Sequence, residues 1–168
     1  MADGSPFLHD LTKSYIRHYP DRFRRTLAHT GKKWFWLRED IRRIYEEMEL
    51  RDGSGRPCFI DAAYEVCHHS RAALVGFEVK SGSSLTESML AQFQKEKRAL
   101  NRISDLLDRQ GRHVAFDSIS LCILARKSVA AAAAERFRGR GGMLFFPVEP
   151  LWADVASMKT EVSGRVNA

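Results

Sequence analysis

The run CFIDAAYEVCHHSRAALVGFEVK, residues 58–80, decides the fold. Two segments in it, Cys58 to Val66 and Ala72 to Lys80, are rich in β-branched and aromatic residues and alternate in polarity, which predicts two strands. The stretch between them is short, so they form an antiparallel hairpin. Cys58, Ile60, Ala62, Tyr64 and Val66 read as one face of the first strand, with Phe59, Asp61, Ala63 and Glu65 on the other. In the second, Ala73, Val75, Phe77 and Val79 share a face, opposite Leu74, Gly76, Glu78 and Lys80. Directly opposed residues of antiparallel strands share a face. A loop over Cys67 to Ala72 therefore sets Val66 against Ala73 and Asp61 against Glu78, with Cβ atoms roughly 4.5–5.5 Å apart. Two carboxylates at that separation repel unless a cation lies between them, and Lys80 projects from the same face as Glu78. Hydrophobic patterning thus predicts a carboxylate pair with an adjacent lysine. Hard oxygen ligands suit Mg²⁺ or Mn²⁺, which supply Lewis-acid chemistry on phosphate and acidify a bound water. Lys80 is placed to orient or deprotonate that water, or to neutralise developing charge.

Outward from the hairpin, Leu37 to Leu50 reads as a helix, with Leu37, Ile41, Ile44, Tyr45 and Met48 along one stripe. Before it, Phe7 to Tyr19 and Arg22 to His29 are short helix candidates. Trp34, Phe35 and Trp36 read as an aromatic anchor of that N-terminal piece onto the core. Asp52 to Gly55 is a turn. After the hairpin comes a long helix from about Leu85 to Gln110, whose stripe runs through Met89, Phe93, Glu96, Leu100, Ile103 and Leu107 and which Gly111 stops. Ile119 to Ala125 reads as a buried strand, Ser128 as the N-cap of an alanine-rich helix, and Met143 to Val148 as a last strand. Little signal follows Trp152. The order predicts an α/β domain with a central mixed β-sheet flanked by helices. Its divisions are a small N-terminal helical extension (1–36), a core (37–150) and a C-terminal tail (151–168).

Asp61 followed by Glu78-Val79-Lys80, at the end of a hairpin and ahead of a long helix, resembles the PD-(D/E)XK nuclease superfamily. Within it the likeness is greatest to archaeal Holliday junction resolvases and related small nucleases. The resemblance spans Leu37 to Val148, with Ile60 standing where the pattern has proline. It implies a restriction-endonuclease-like core and a divalent ion held by Asp61, Glu78 and the Val79 carbonyl, with Lys80 catalytic. It also implies a further acidic ligand on the preceding helix, where the choices are Glu39, Asp40, Glu46, Glu47 and Glu49, of which Asp40 and Glu47 flank the apolar stripe and are the candidates. A glutamine on the following helix joins the catalytic set, here Gln92, with Lys95 after it at a Gln-x-x-Lys spacing.

The chain of 168 residues carries a net charge of +6, with 44% hydrophobic and 29% charged residues, an ordinary balance for one globular domain. Its basic residues cluster, which suits a polyphosphate partner. Lys95, Arg98, Arg102, Arg138 and Arg140 are the nucleic-acid-binding candidates, the last two in a Gly-rich loop. Cys67-His68-His69 reads as a polar turn rather than a zinc site, because no second Cys/His pair stands at a usual spacing. Three cysteines suggest no disulfide framework. No apolar run has the length of a membrane span, and the opening MADGSPFLHD lacks a signal-peptide pattern. The expectation is an intracellular protein, cytoplasmic or nucleoid-associated and not secreted, with no membrane partner.

The function expected is a divalent-metal-dependent nuclease hydrolysing phosphodiester bonds in DNA, an endonuclease whose substrates include branched structures. DNA is expected ahead of RNA, and a resolvase would act as a homodimer. Two alternatives stand beside it: a non-catalytic nucleic-acid-binding or assembly subunit with the same fold, and an unrelated α/β protein in which Lys80 and Glu78 form a surface ion pair.

Overall fold

Alternating apolar residues on a hairpin and helical stripes after it must bury their faces against one another, and they do so here in three layers. The computed structural model describes residues 6–31, 34–51, 56–68, 71–102 and 116–166. The chain runs through α1 (Pro6–His18), α2 (Pro20–Ala28), a 3-10 turn (Phe35–Leu37), β1 (Asp40–Arg51), β2 (Pro57–His68) and β3 (Arg71–Val79). It continues through α3 (Glu87–Asn101), β4 (Ser118–Ala125), α4 (Lys127–Arg136), β5 (Met143–Pro147) and α5 (Glu149–Val166). The five strands form one mixed sheet in the order β1-β2-β3-β4-β5. The first three make an antiparallel meander; β3, β4 and β5 are parallel and joined by α3 and α4. Residues of α1, α2 and α5 share a core with one face of the sheet, and residues of α3 and α4 with the other. Among the described residues no helix is long and apolar enough to cross a membrane.

The segment read as a helix over Leu37 to Leu50 is instead the edge strand β1. Its spacing misleads for a physical reason. The ladder to β2 is irregular between Ile41 and Arg43, and Glu47 takes a positive φ of 47°. Each irregularity shifts the alternation, so Ile41 and Ile44 pack into the α1 side while Tyr45, Met48 and Leu50 pack into the α3 side. A bulged strand that buries both faces thus imitates helical spacing. Strand β2 changes face at the same level. Ala62, Tyr64 and Val66 join the α1-side core, whereas Cys58 and Ile60 join the α3-side core, so the single apolar face expected over Cys58 to Val66 is broken at Asp61.

The hairpin register is the expected one, Val66 opposite Ala73, although the strands extend to His68 and Arg71. His69 lies outside the described residues, as do the Asp52–Gly55 turn and the expected helix positions Ile103, Leu107 and Gly111. The first two helices are part of the core rather than appended to it: Ile16, Phe23 and Leu27 are fully buried. Trp36 is the aromatic anchor, with its ring 5.7 Å from Phe77 and 6.3 Å from Phe146, while Trp34 is exposed. The tail beyond Trp152 is helical, and Leu151 and Val155 of α5 belong to the core. Arg126, not Ser128, is the N-cap of α4, and it makes no side-chain cap bond. The Lys127 amide at that end is instead taken by the Glu149 carboxylate at 2.9 and 3.1 Å.

Candidate active site

The β2–β3 ladder runs to Ala62 opposite Phe77; one step further sets Asp61 opposite Glu78. There the backbone pairing gives way to a side chain, because the Val79 amide donates to Asp61 Oδ2 at 2.8 Å. On the other side of β2, Glu46 opposes Ala62 and Met48 opposes Ile60, which sets Glu47 opposite Asp61. Three acidic residues on three adjacent strands therefore lie across one level of the sheet, where β1 and β2 both change face.

Two layers furnish the partners. From α1, His9, Lys13 and Arg17 recur every four residues and so project from one helix face. His9 Nε2 lies 3.4 Å from Asp61 Oδ2, and Lys13 Nζ 3.3 Å from Asp61 Oδ1. Arg17 Nη2 donates to the Asp61 carbonyl at 2.9 Å. Lys13 also reaches Glu47 Oε1 at 2.9 Å, so its ammonium bridges two carboxylates. From α3, Gln92 reaches the opposite side. Lys80 Nζ donates to Glu78 Oε1 at 2.6 Å and to Gln92 Oε1 at 3.0 Å. Gln92 Nε2 donates to Glu78 Oε1 at 3.0 Å and to Glu96 Oε1 at 2.7 Å. Asp61 and Glu78 thus approach the end of the sheet from its two layers, not side by side on one face as simple alternation implies.

The electrostatics follow from these partners. Burial alone would raise the Asp61 carboxyl, but the hydrogen bonds from His9 and the Val79 amide and the charges of His9 and Lys13 outweigh it and hold it below the usual range. His9 is raised in return, chiefly through its hydrogen bond to Asp61. Glu78 is pushed up to about 7, first by burial and then by the Asp61 charge, against the pull of Lys80. Glu96 is pushed up to about 8 by burial and by the charge of Glu78. The Oε2 atoms of Glu78 and Glu96 are buried with no hydrogen-bond partner among the described residues. An unsatisfied carboxylate oxygen in a low-dielectric site costs free energy, and a proton or a cation relieves it.

Of the residues singled out in the sequence, Glu78, Lys80 and Gln92 are hydrogen-bonded together on the α3 side, while Asp61 lies towards α1 and is tied to their strand through the Val79 amide. Glu47 reaches the group through Lys13. Asp40 does not: it stands opposite Cys67, six residues along β2 from Asp61 and roughly 20 Å away at the usual strand rise. Lys95 shares the Gln92 side of α3, while Arg98 and Arg102 are exposed. Arg138 pairs with Glu135 at 2.6 Å, and Arg140 lies over the Phe137 ring at 5.4 Å. Arg140 also lines a 230 Å³ depression with Gln94 and Arg136. Gln94 and Gln92 are about 200° apart around α3, so this basic group flanks the helix on the side away from the carboxylates. Four residues escaped the sequence reading as site members. His9, Lys13 and Arg17 carried a signal, a basic residue at every fourth position of one helix. Glu96 carried a plainer one, a charge on a buried stripe.

Among the described residues no three His, Cys, Asp or Glu side chains converge closely enough to hold a metal by themselves. Comparison with known protein families, with curated proteins and with solved structures finds nothing that matches this chain.

Proposed function

We propose that this protein is a divalent-metal-dependent nuclease that hydrolyses phosphodiester bonds in DNA, with a restriction-endonuclease-like core of the PD-(D/E)XK kind. The observation that supports it most is the register of β2 and β3. It ends at Ala62 opposite Phe77, one residue short of Asp61 and Glu78, and one Glu78 oxygen there is buried without a hydrogen-bond partner among the described residues. The donor set fits Mg²⁺ or Mn²⁺, which take a few protein oxygens and fill the remaining positions with water and substrate phosphate. Asp61 and Glu78 would hold the ion, with the Val79 carbonyl as a backbone donor. When bound, it supplies Lewis-acid charge at a phosphate and acidifies water.

The chain's own residues do the rest. Lys80, held between Glu78 and Gln92, orients the attacking water and counters the charge that develops on the phosphoryl oxygens. Gln92 fixes Lys80 through its carbonyl. Lys95, Arg98 and Arg102 offer positive charge on the same helix for backbone phosphates. Glu47 is the upstream acidic residue that the geometry favours over Asp40.

One observation favours a second reading, a nucleic-acid-binding subunit with no cleavage. Lys13 and Lys80 already neutralise the two carboxylates that a metal would need. The reading in which Lys80 and Glu78 form a surface ion pair is disfavoured, because the Glu78 side chain is only 5% exposed. Incubation with supercoiled, linear, single-stranded and four-way-junction DNA in Mg²⁺, Mn²⁺ or EDTA separates the first two. Metal-dependent cleavage that Asp61→Ala and Lys80→Ala each reduce by about a hundredfold or more supports the nuclease. Binding without cleavage in every metal supports the second reading and overturns the first.

A further inference from the structure

Glu96 is a buried acid to which the chemistry above gives no role. It stands on α3 one turn beyond Gln92, is 1% exposed, and shares its stripe with the buried Phe93 and Leu100. A carboxyl in such a place costs stability unless its contacts compensate, and an apolar residue of similar size would cost less. Gln92 Nε2 donates a hydrogen bond to Glu96 Oε1 at 2.7 Å. The two hydrogens of that nitrogen serve two acceptors, Glu96 Oε1 and, at 3.0 Å, Glu78 Oε1. With Nε2 between two carboxyl oxygens, the amide carbonyl can only face the other way, towards Lys80 Nζ at 3.0 Å. The reversed amide would set its NH₂ group against the Lys80 ammonium, with no donor left for the Glu96 oxygen that Nε2 now serves. Glu78 cannot fix that orientation alone, since Lys80 already takes the same Glu78 oxygen at 2.6 Å.

We propose that Glu96 is a positioning residue: it locks the orientation of the Gln92 amide, whose carbonyl then holds Lys80 where the cleavage step needs it. The role in cleavage rests on the nuclease reading; the locking of the amide does not. Glu96→Gln keeps an acceptor oxygen in the same place. Glu96→Met keeps the volume and removes the acceptor, and Glu96→Leu repeats the removal with a different shape, so a packing defect in one variant does not decide the outcome. Two readouts apply: hydrogen exchange of the Gln92 side-chain amide by ¹H–¹⁵N NMR, and kcat and KM for metal-dependent DNA cleavage. The Gln92 amide protons should exchange about tenfold faster in both apolar variants than in the wild type, with Glu96→Gln near the wild type. In the cleavage assay kcat should fall by about tenfold in the apolar variants at nearly unchanged KM, and Glu96→Gln should retain most of it. Wild-type protection of Gln92 in both apolar variants, or a Glu96→Gln variant as impaired as they are, overturns the proposal. A wild-type protein that cuts no DNA defeats the nuclease reading, and the exchange measurement still decides whether Glu96 locks the amide.

Discussion

Glu96 also dominates the residue scale as a source of pH dependence. Burial, and then the charge of Glu78, push its carboxyl in the folded protein up to about 8 from the ordinary 4.5, so the folded protein holds a proton that the unfolded chain releases earlier. Stability from this group is full below pH 4.5, declines as pH rises towards 8 and levels off above it. Glu78, at about 7, acts in the same direction over a narrower window. Glu96→Gln removes the contribution of position 96, and it should stabilise the protein by on the order of 1–3 kcal/mol at pH 8 with little effect at pH 4.5. Urea unfolding of both proteins at the two pH values checks this, and a difference that does not change with pH contradicts it. Legibility at this scale was uneven. Glu78 and Lys80 follow from the reading of β3, whereas strict alternation sets Asp61 on the wrong face, because the change of face in β2 turns it towards α1, and helical spacing misplaces Asp40. Glu96 was recognised only as a member of the α3 stripe, since spacing cannot tell an apolar stripe position from a buried acid with a hydrogen-bonding partner.

At the scale of elements, the break in β1 and β2 is what builds the site. If both strands kept strict alternation, the side chain at position 61 would lie on the α3 side with Ile60 turned away from it. The change of face instead turns Asp61 towards α1 and leaves Ile60 packed on the α3 side. Its local cost falls on Glu47, whose φ of 47° lies in the left-handed region that residues with a Cβ rarely occupy. Both Glu47→Ala and Glu47→Gly remove the carboxylate, so their difference isolates the backbone. The glycine variant should be the more stable by about 1 kcal/mol in thermal or urea unfolding. Equal stability, or a more stable alanine variant, would mean that the strand carries no strain there. The hairpin and its register were legible because the turn is short and the apolar faces of the two strands next to it match, even though β3 is buried on both faces. Strand β1 was not, because its two irregularities scatter the apolar residues at intervals of three and four.

For the whole molecule, the class of fold was legible and its assembly was not. Strand and helix signals after residue 57 sufficed for a mixed sheet covered by helices. The N-terminal helices looked like an extension because they are short, yet they bury Ile16, Phe23 and Leu27 against the sheet and deliver His9 and Lys13 to Asp61. Contacts that join residue 13 to residue 61 leave no local trace in a sequence. The C-terminal helix α5 was missed for a related reason: among the side chains described in it, Leu151 and Val155 are the buried ones, and what they pack against lies far away in the sequence. The proposed function rests on one claim, that a divalent cation binds where the β2–β3 pairing ends, between Asp61 and Glu78. Anomalous diffraction from a crystal soaked in Mn²⁺ tests it most directly. The account predicts a manganese peak within ligand distance, about 2.0–2.4 Å, of both the Asp61 and Glu78 carboxylates, with the Lys13 ammonium displaced from Asp61. No peak at that position, with both ammonium groups still on their carboxylates, would contradict it.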